Sequence, residues 1–135
     1  MASWIIKILL EQGINVNATV RNPSDIEKFE HLKTLAKEST GELKLFESNL
    51  MDNGSFDEPI QDCELVIHTA SPFFIKGIKN AENELIRPAK EGTRNVLESA
   101  KRNSEVKRVV ITSSVVAIYG DNADIAMAPA GIFTE

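Results

Sequence analysis

The sequence predicts an α/β domain built on a parallel sheet, and three observations carry that prediction. Segments of helical apolar spacing alternate with short β-branched runs along the chain. The run Val109-Val110-Ile111 is too short and too branched for a helix, and reads as a strand buried on both faces. Directly after it come three hydroxyls, Thr112, Ser113 and Ser114, at the carboxyl end of that strand. Ligands of open α/β sheets sit in the crevice outside such ends.

The elements follow in order. Trp4, Ile5, Ile8 and Leu9 share one helical face, and Gly13 is the expected left-handed stop. Residues 14–20 alternate apolar and polar, as a strand does, and Arg21-Asn22-Pro23 ends it. Ser24-Asp25-Ile26-Glu27 has the form of a capping box before a helix carrying Ile26, Phe29, Leu32, Leu35 and Ala36. Gly41 closes that unit, and residues 43–46 form the next strand. Asn53-Gly54 is a turn, and Ser55-Phe56-Asp57-Glu58 repeats the capping box over a short helix that stops near Cys63. Leu65-Val66-Ile67 is a buried strand leading into His68-Thr69-Ala70-Ser71-Pro72. A long helix over about residues 83–100 shows Ile86, Ala89, Val96, Leu97 and Ala100 on one stripe, with Pro88 kinking its first turns. After the strand at Val109 and the hydroxyls comes a loose tail.

The totals bound the function. A length of 135 residues suits one domain, residues 1–135, and 42% hydrophobic with 26% charged residues is an ordinary globular composition. The net charge of −5 argues against a general binder of nucleic acid or of anionic membrane. Nothing approaches a membrane span, and the apolar start lacks the basic leader and cleavage site of a signal peptide. The single cysteine, Cys63, forms no intrachain disulfide, which fits a reducing cytoplasm. It has no metal-ligand spacing with His31 or His68.

Several segments stand in one collinear order: Ala2-Ser3-Trp4, Ala18-Thr19-Val20-Arg21-Asn22-Pro23, Gly54-Ser55-Phe56-Asp57, Val66-Ile67-His68-Thr69-Ala70-Ser71-Pro72, Glu82-Asn83-Glu84-Leu85-Ile86-Arg87-Pro88, Glu91-Gly92-Thr93, and Arg108 through Ser114. As a set they resemble the extended short-chain dehydrogenase/reductase family, the NAD-dependent epimerase/dehydratase superfamily. The branch they resemble is that of dihydroflavonol and cinnamoyl-CoA reductases. The resemblance covers nearly the whole chain. It implies a doubly wound Rossmann sheet, NADP(H) as cofactor, and reduction of a carbonyl or aldehyde of a small organic substrate.

Two parts of that family's pattern are missing. None of the seven glycines, at 13, 41, 54, 77, 92, 120 and 131, has the spacing of a phosphate-cradling loop. Nor is there a Tyr-x-x-x-Lys pair: the lone Tyr119 is followed four residues on by Ala123, and no lysine follows Lys107. The expectation is a fragment: a partial Rossmann sheet lacking its first strand and Gly-rich loop, inactive as it stands, with its carbonyl substrate bound by the full-length parent. With the first strand missing, its two neighbours keep unpaired edges through which the chain self-associates. The alternatives are a nucleotide-sugar epimerase or dehydratase, a hydroxysteroid dehydrogenase, or a non-catalytic nucleotide-binding module.

The resemblance also implies roles for residues. Arg21, where an acidic residue would favour NAD, is placed to meet the 2′-phosphate of NADP, since a guanidinium fork matches phosphate. Lys28 is the second phosphate contact. Asn49 and Leu50 stand against the adenine, with asparagine in place of the usual aspartate. Thr69, Ala70 and Ser71 lie along the cofactor, Thr112 ends the strand beside it, and Ser114 matches the catalytic serine that hydrogen-bonds the substrate carbonyl. Tyr119 matches a substrate-contacting position that is normally asparagine in flavonoid reductases. His68 reads as a hydrogen-bonded strand-end histidine and not as a general base, because no carboxylate or nucleophile is evident beside it.

Overall fold

Helix and strand alternate through the described part of the chain as their periodicities predict. The computed structural model describes residues 1–72, 77–117, 122–128 and 131. Its elements are α1 (Ala2–Glu11), β1 (Val16–Val20), α2 (Ile26–Lys37), β2 (Leu43–Glu47), α3 (Asp57–Ile60), β3 (Leu65–His68), a π-helical turn (Glu82–Ile86), α4 (Arg87–Arg102) and β4 (Arg108–Ile111). Two 3-10 turns follow, Val115–Ala117 and Asn122–Met127, so part of the expected loose tail is ordered into a turn. No helix among the described residues is long and apolar enough to cross a membrane.

All strand pairing among the described residues is parallel. β1 lies against β2 with Val16 opposite Leu43, and β3 lies against β4 with Leu65 opposite Arg108. The two ladders do not join, and each is a sheet of two strands. This is the split expected where no strand lies between β1 and β3.

The split corrects one expectation. Val110 and Ile111 are 45% and 44% exposed, and only Val109 is half-buried, so β4 is not covered on both faces. The reason is geometric: β4 pairs with β3 alone, and of these two strands it is β3 that α4 packs against. The apolar face of α1 is likewise only partly used. Leu10, which lies off the expected face of Trp4, Ile5, Ile8 and Leu9, is the fully buried residue, while Trp4 and Ile8 remain exposed, because the helix turns that other side to α2 and β1.

Neither expected capping box forms. The N-cap of α2 is Asp25, which makes no side-chain bond to the helix amides; its carboxylate pairs with Lys28 instead. Ahead of α3, the Ser55 hydroxyl turns back and donates to the Asn49 carbonyl at 2.8 Å, and α3 shrinks to four residues. Short hydroxyl and carboxylate side chains choose between helix amides and other local partners, and here the other partners win. The kink expected at Pro88 appears as the π turn that runs directly into α4, and this wider turn is what accommodates a residue with no N–H to give.

The core sits between α3, α4 and β3. Phe56, Ile60 and Val96 are buried together, with Leu50, Val66 and Val106 packed around them. Burying one such side chain contributes roughly 1.5–3 kcal/mol. Polar contacts lock α3 to α4: the Arg102 guanidinium donates to Asp57 at 2.6 Å, and the Asn103 amide donates to the Ile60 carbonyl at 2.6 Å. Hydrogen bonds from Ser99 and then Arg102 hold the Asp57 carboxyl below its usual range. That group therefore favours folding at neutral pH, and its contribution is lost as the pH falls through its lowered value.

A second contact fixes where β1 and β2 start. The Gly41 N–H donates to the Leu10 carbonyl at 3.0 Å, and the Val16 N–H donates to the Glu42 carbonyl at 2.8 Å. A Cβ on Gly41 would stand 2.4 Å from the Ile14 carbonyl oxygen, a backbone atom that cannot swing aside. Gly41→Ala is therefore expected to lower unfolding stability by about 1–3 kcal/mol. The check is a urea titration, in which the midpoint should fall at unchanged slope.

Candidate functional site

Parallel pairing brings strand exits together, and all the sequence-predicted site residues except Lys28 follow such an exit. The exits of β1 and β2 form one group. The Ser48 N–H donates to the Val20 carbonyl at 2.9 Å, which sets Arg21, the residue after Val20, beside the segment that carries Asn49 and Leu50. Arg21 is exposed, and its guanidinium has no hydrogen bond or ion pair among the described residues. Lys28 lies in the first turn of α2, exposed and paired with Asp25.

Asn49 is held by its own turn. Its side-chain oxygen accepts the Met51 N–H at 3.0 Å, so the acceptor that replaces the usual carboxylate is already engaged. Its amide group remains to offer a donor. The Leu50 carbonyl accepts the Asn95 side-chain amide at 2.7 Å.

The exits of β3 and β4 form the second group. Thr69 is half-buried, and Ala70 and Ser71 are exposed. The Thr112 N–H donates to the His68 carbonyl at 2.9 Å, so the segment starting at Thr69 stands beside the one starting at Thr112. The Thr112 hydroxyl also reaches the Met1 sulfur at 3.9 Å, which sets the N-terminus of α1 against this exit. Ser114 is exposed and opens the 3-10 turn by accepting the Ala117 N–H at 2.9 Å. Tyr119 lies outside the described residues.

Helix α4 joins the two groups, and this the sequence reading missed. Gly92 and Asn95 meet Leu50 at the β2 exit, while Thr93 meets His68 at the β3 exit. The signal was present as three small or polar residues, Gly92, Thr93 and Asn95, clustered around the apolar stripe of Ala89, Val96 and Ala100. Only one of the two helical faces they occupy counts as apolar by periodicity, so the pattern alone did not single them out.

His68 is buried at 7% exposure, and its Nε2 stands 3.3 Å from the Thr93 hydroxyl. Burial pushes its imidazole below the usual range, so it is neutral near pH 7. This fits a structural, hydrogen-bonded histidine. Cys63 is half-buried, and burial raises its thiol, while the Asn17 amide donates to its sulfur at 3.5 Å and works against that rise.

The profile of the NAD dependent epimerase/dehydratase family matches residues 1–132. The chain is 48% identical over 120 residues to cinnamoyl-CoA reductase CAD2 of Medicago truncatula, covering 87% of this chain and 36% of that protein. It is 41% identical over 125 residues to dihydroflavonol 4-reductase of Gerbera hybrida, covering 93% of this chain and 34% of that protein. Among solved structures, it resembles the yeast methylglyoxal/isovaleraldehyde reductase Gre2 complexed with NADPH, with a TM-score of 0.72 at 28% identity over 87% of this chain and 35% of that one. It also resembles vestitone reductase from alfalfa, with a TM-score of 0.64 at 33% identity over 86% of this chain and 33% of that one. The chain thus spans about a third of the length of the curated relatives it matches.

The hold of α4 on the β2 exit is open to a direct check. Asn95→Ala leaves the Leu50 carbonyl without its donor, which should cost about 1–2 kcal/mol of stability. It should also speed hydrogen exchange at the Met51 amide, because the turn that amide closes is then anchored on one side only.

Proposed function

Because the chain belongs to the NAD dependent epimerase/dehydratase family, we propose that it forms the nucleotide-binding part of an NADPH-dependent reductase. The substrate class proposed is a carbonyl or aldehyde of a small organic molecule, as in the dihydroflavonol and cinnamoyl-CoA reductases it is similar to. These relatives reduce their substrates, which favours hydride transfer over the epimerase, dehydratase and hydroxysteroid readings of the same fold. One thiol and no disulfide among the described residues agree with a cytoplasmic setting.

The observation that carries the cofactor reading is Arg21. An exposed guanidinium without a partner among the described residues, at the exit of a parallel strand, is a fork waiting for an anion. The residues at the two groups of exits suit a phosphorylated nucleotide. Asn49 offers an amide donor and Leu50 an apolar surface to an adenine. Thr69, Ala70 and Ser71 are small enough for the backbone to pass close to a ribose or a nicotinamide, with Thr112 beside them. NADPH, when bound, supplies the hydride. Ser114 holds the substrate carbonyl through its hydroxyl. The chain itself offers no Tyr-x-x-x-Lys pair to deliver the proton.

Lys28 has a lesser role in this reading, since Asp25 already neutralises it. The phosphate preference therefore falls on Arg21. The chain is expected to bind 2′,5′-ADP more tightly than 5′-ADP, and Arg21→Glu should abolish that preference. A charge-assisted contact of this kind is worth about 1.5–3 kcal/mol, or roughly a ten- to hundredfold ratio. Titration calorimetry on both ligands measures it, and equal affinity in the unaltered chain would overturn the reading.

The proposal extends to partners. β1 and β3 each have one ladder edge without a strand among the described residues, and β4 adds exposed Val110 and Ile111. Apolar ladder edges pair with other chains. The chain is therefore expected to elute from a sizing column as concentration-dependent oligomers, and Val110→Lys should shift it toward monomer. A concentration-independent monomer would count against this part.

A further inference from the structure

The residue that ties the second group of exits together is His68, and it does so with both its backbone and its ring. Its carbonyl accepts the Thr112 N–H at 2.9 Å, which joins the exit of β3 to that of β4. Its Nε2 meets the Thr93 hydroxyl at 3.3 Å, which joins the same point to α4. Thr69 begins the segment assigned to the cofactor, and Ser114 lies two residues beyond Thr112. We infer that the pair of His68 and Thr93 is a proton-sensitive positioning device that sets residues 69–71 against residues 112–114. This rests on the reading of those segments given above.

The physical reason lies in what the ring can tolerate. A neutral imidazole sits in its buried place with one hydrogen bond to a hydroxyl and no cost in charge. A protonated one would put a charge where almost no solvent reaches, and a buried unpaired charge is expensive. Among the described residues, no acidic side chain bonds the ring. On α4, Glu91 is within two residues of Thr93 but accepts from Arg94 at 3.0 Å, and Lys90 adds only positive charge. Across the ladder His68 faces Ile111. The remaining charged pair of this ladder, Glu64 with Lys107, lies at its opposite end. Burial is thus what keeps the ring neutral.

Acid therefore gives the ring one outlet, which is to leave Thr93 and turn toward solvent. Without the ring's tie to Thr93 the end of β3 is no longer anchored on α4, and the Thr112 N–H then has an acceptor that is held by the ladder alone. The two exits then part. The direction follows from linkage. A base whose folded value is lowered binds fewer protons folded than unfolded, so the native arrangement is favoured above the imidazole range and weakened as the pH falls through it.

The test is a proton titration of the isotope-labelled 135-residue chain from pH 8 to pH 5, followed by NMR. His31 is removed as His31→Gln so that one imidazole remains. The amides of Thr69, Ala70, Thr112 and Ser114 should titrate with the same midpoint as the His68 ring, while those of Arg21 and Asn49 stay still. Thr93→Val should uncouple the amides from the ring, and Thr93→Ser should restore the coupling. A purely structural role for His68 would give no common midpoint. Still amides at 112–114 while the ring titrates would overturn the inference, as would a coupling that survives Thr93→Val.

A second arm adds NADPH, whose affinity should fall several-fold across the same pH window in the His31→Gln chain and far less in the Thr93→Val chain. Should NADPH bind at no pH while the amides still move with the ring, the nucleotide reading fails and the positioning role stands. Should NADPH bind but the amides ignore the ring, the reverse holds.

Discussion

The close approach of α4 to the strand exits is the constraint on which the rest depends. It is possible because position 92 carries no side chain. A Cβ on Gly92 would stand 2.9 Å from the Leu50 Cβ and 3.0 Å from its Cδ2, so the helix and the β2 exit are as near as they can be. That nearness lets Asn95 reach the Leu50 carbonyl and Thr93 reach His68. It also buries Val96 against Phe56 and Ile60, so the packing that stabilises the fold and the polar contacts that place the site share one helix. Two ladders that share no strand are in this way held by one element that touches both.

A split sheet normally carries a penalty, and the chain shows where it falls. Polar ladder groups and apolar faces that a central strand would cover are left open, and exposed Trp4, Val110 and Ile111 are the visible cost. The interactions that remain are local or run through α3 and α4. Helices α1 and α2 pack on the β1–β2 side and α4 on β3, while α3 lies between them, against α4 and β1. The Asn17 amide, which donates to the Pro59 carbonyl at 2.9 Å, is one of the few polar links between the halves. A part-buried bond of this kind contributes only about 1 kcal/mol, so the coupling between the halves depends on packing more than on hydrogen bonds.

Period and punctuation made the element order legible. Alternation at residues 14–20, helical spacing at Phe29, Leu32 and Ala36, and β-branched runs at Val66 and Val109 each set a backbone period that tertiary context did not override. What the pattern could not carry was competition among side chains for nearby partners. Ser24 and Ser55 look alike as capping serines. Yet Asp25 pairs with Lys28, and the Ser55 hydroxyl is drawn to the Asn49 carbonyl. Nor could a run of three β-branched residues reveal that β4 would have a neighbour on one edge only, since burial of a strand is a property of what lies beside it. The same holds for the site. Positions at strand exits are readable from sequence, whereas Thr93 and Asn95 act from a helix some tens of residues away, and only the fold brings them in.

The charge distribution then decides which residues can select an anion. A net charge of −5 makes the molecule as a whole repel a phosphorylated ligand, so attraction must be local. Lys28 contributes little, because Asp25 faces it and the pair presents almost no net charge to a ligand. Arg94 is likewise committed to Glu91, and Arg102 to Asp57. Arg21, with no partner among the described residues, stands at the one strand exit where an acidic residue would instead favour an unphosphorylated ribose. A cation that ends a strand has a fixed origin and a short reach. It can therefore discriminate a single phosphate where a mobile surface lysine would answer any negative charge. On the reading proposed above, the selectivity of the site would come from the place of Arg21 at that exit, and not from how many cations the chain contains.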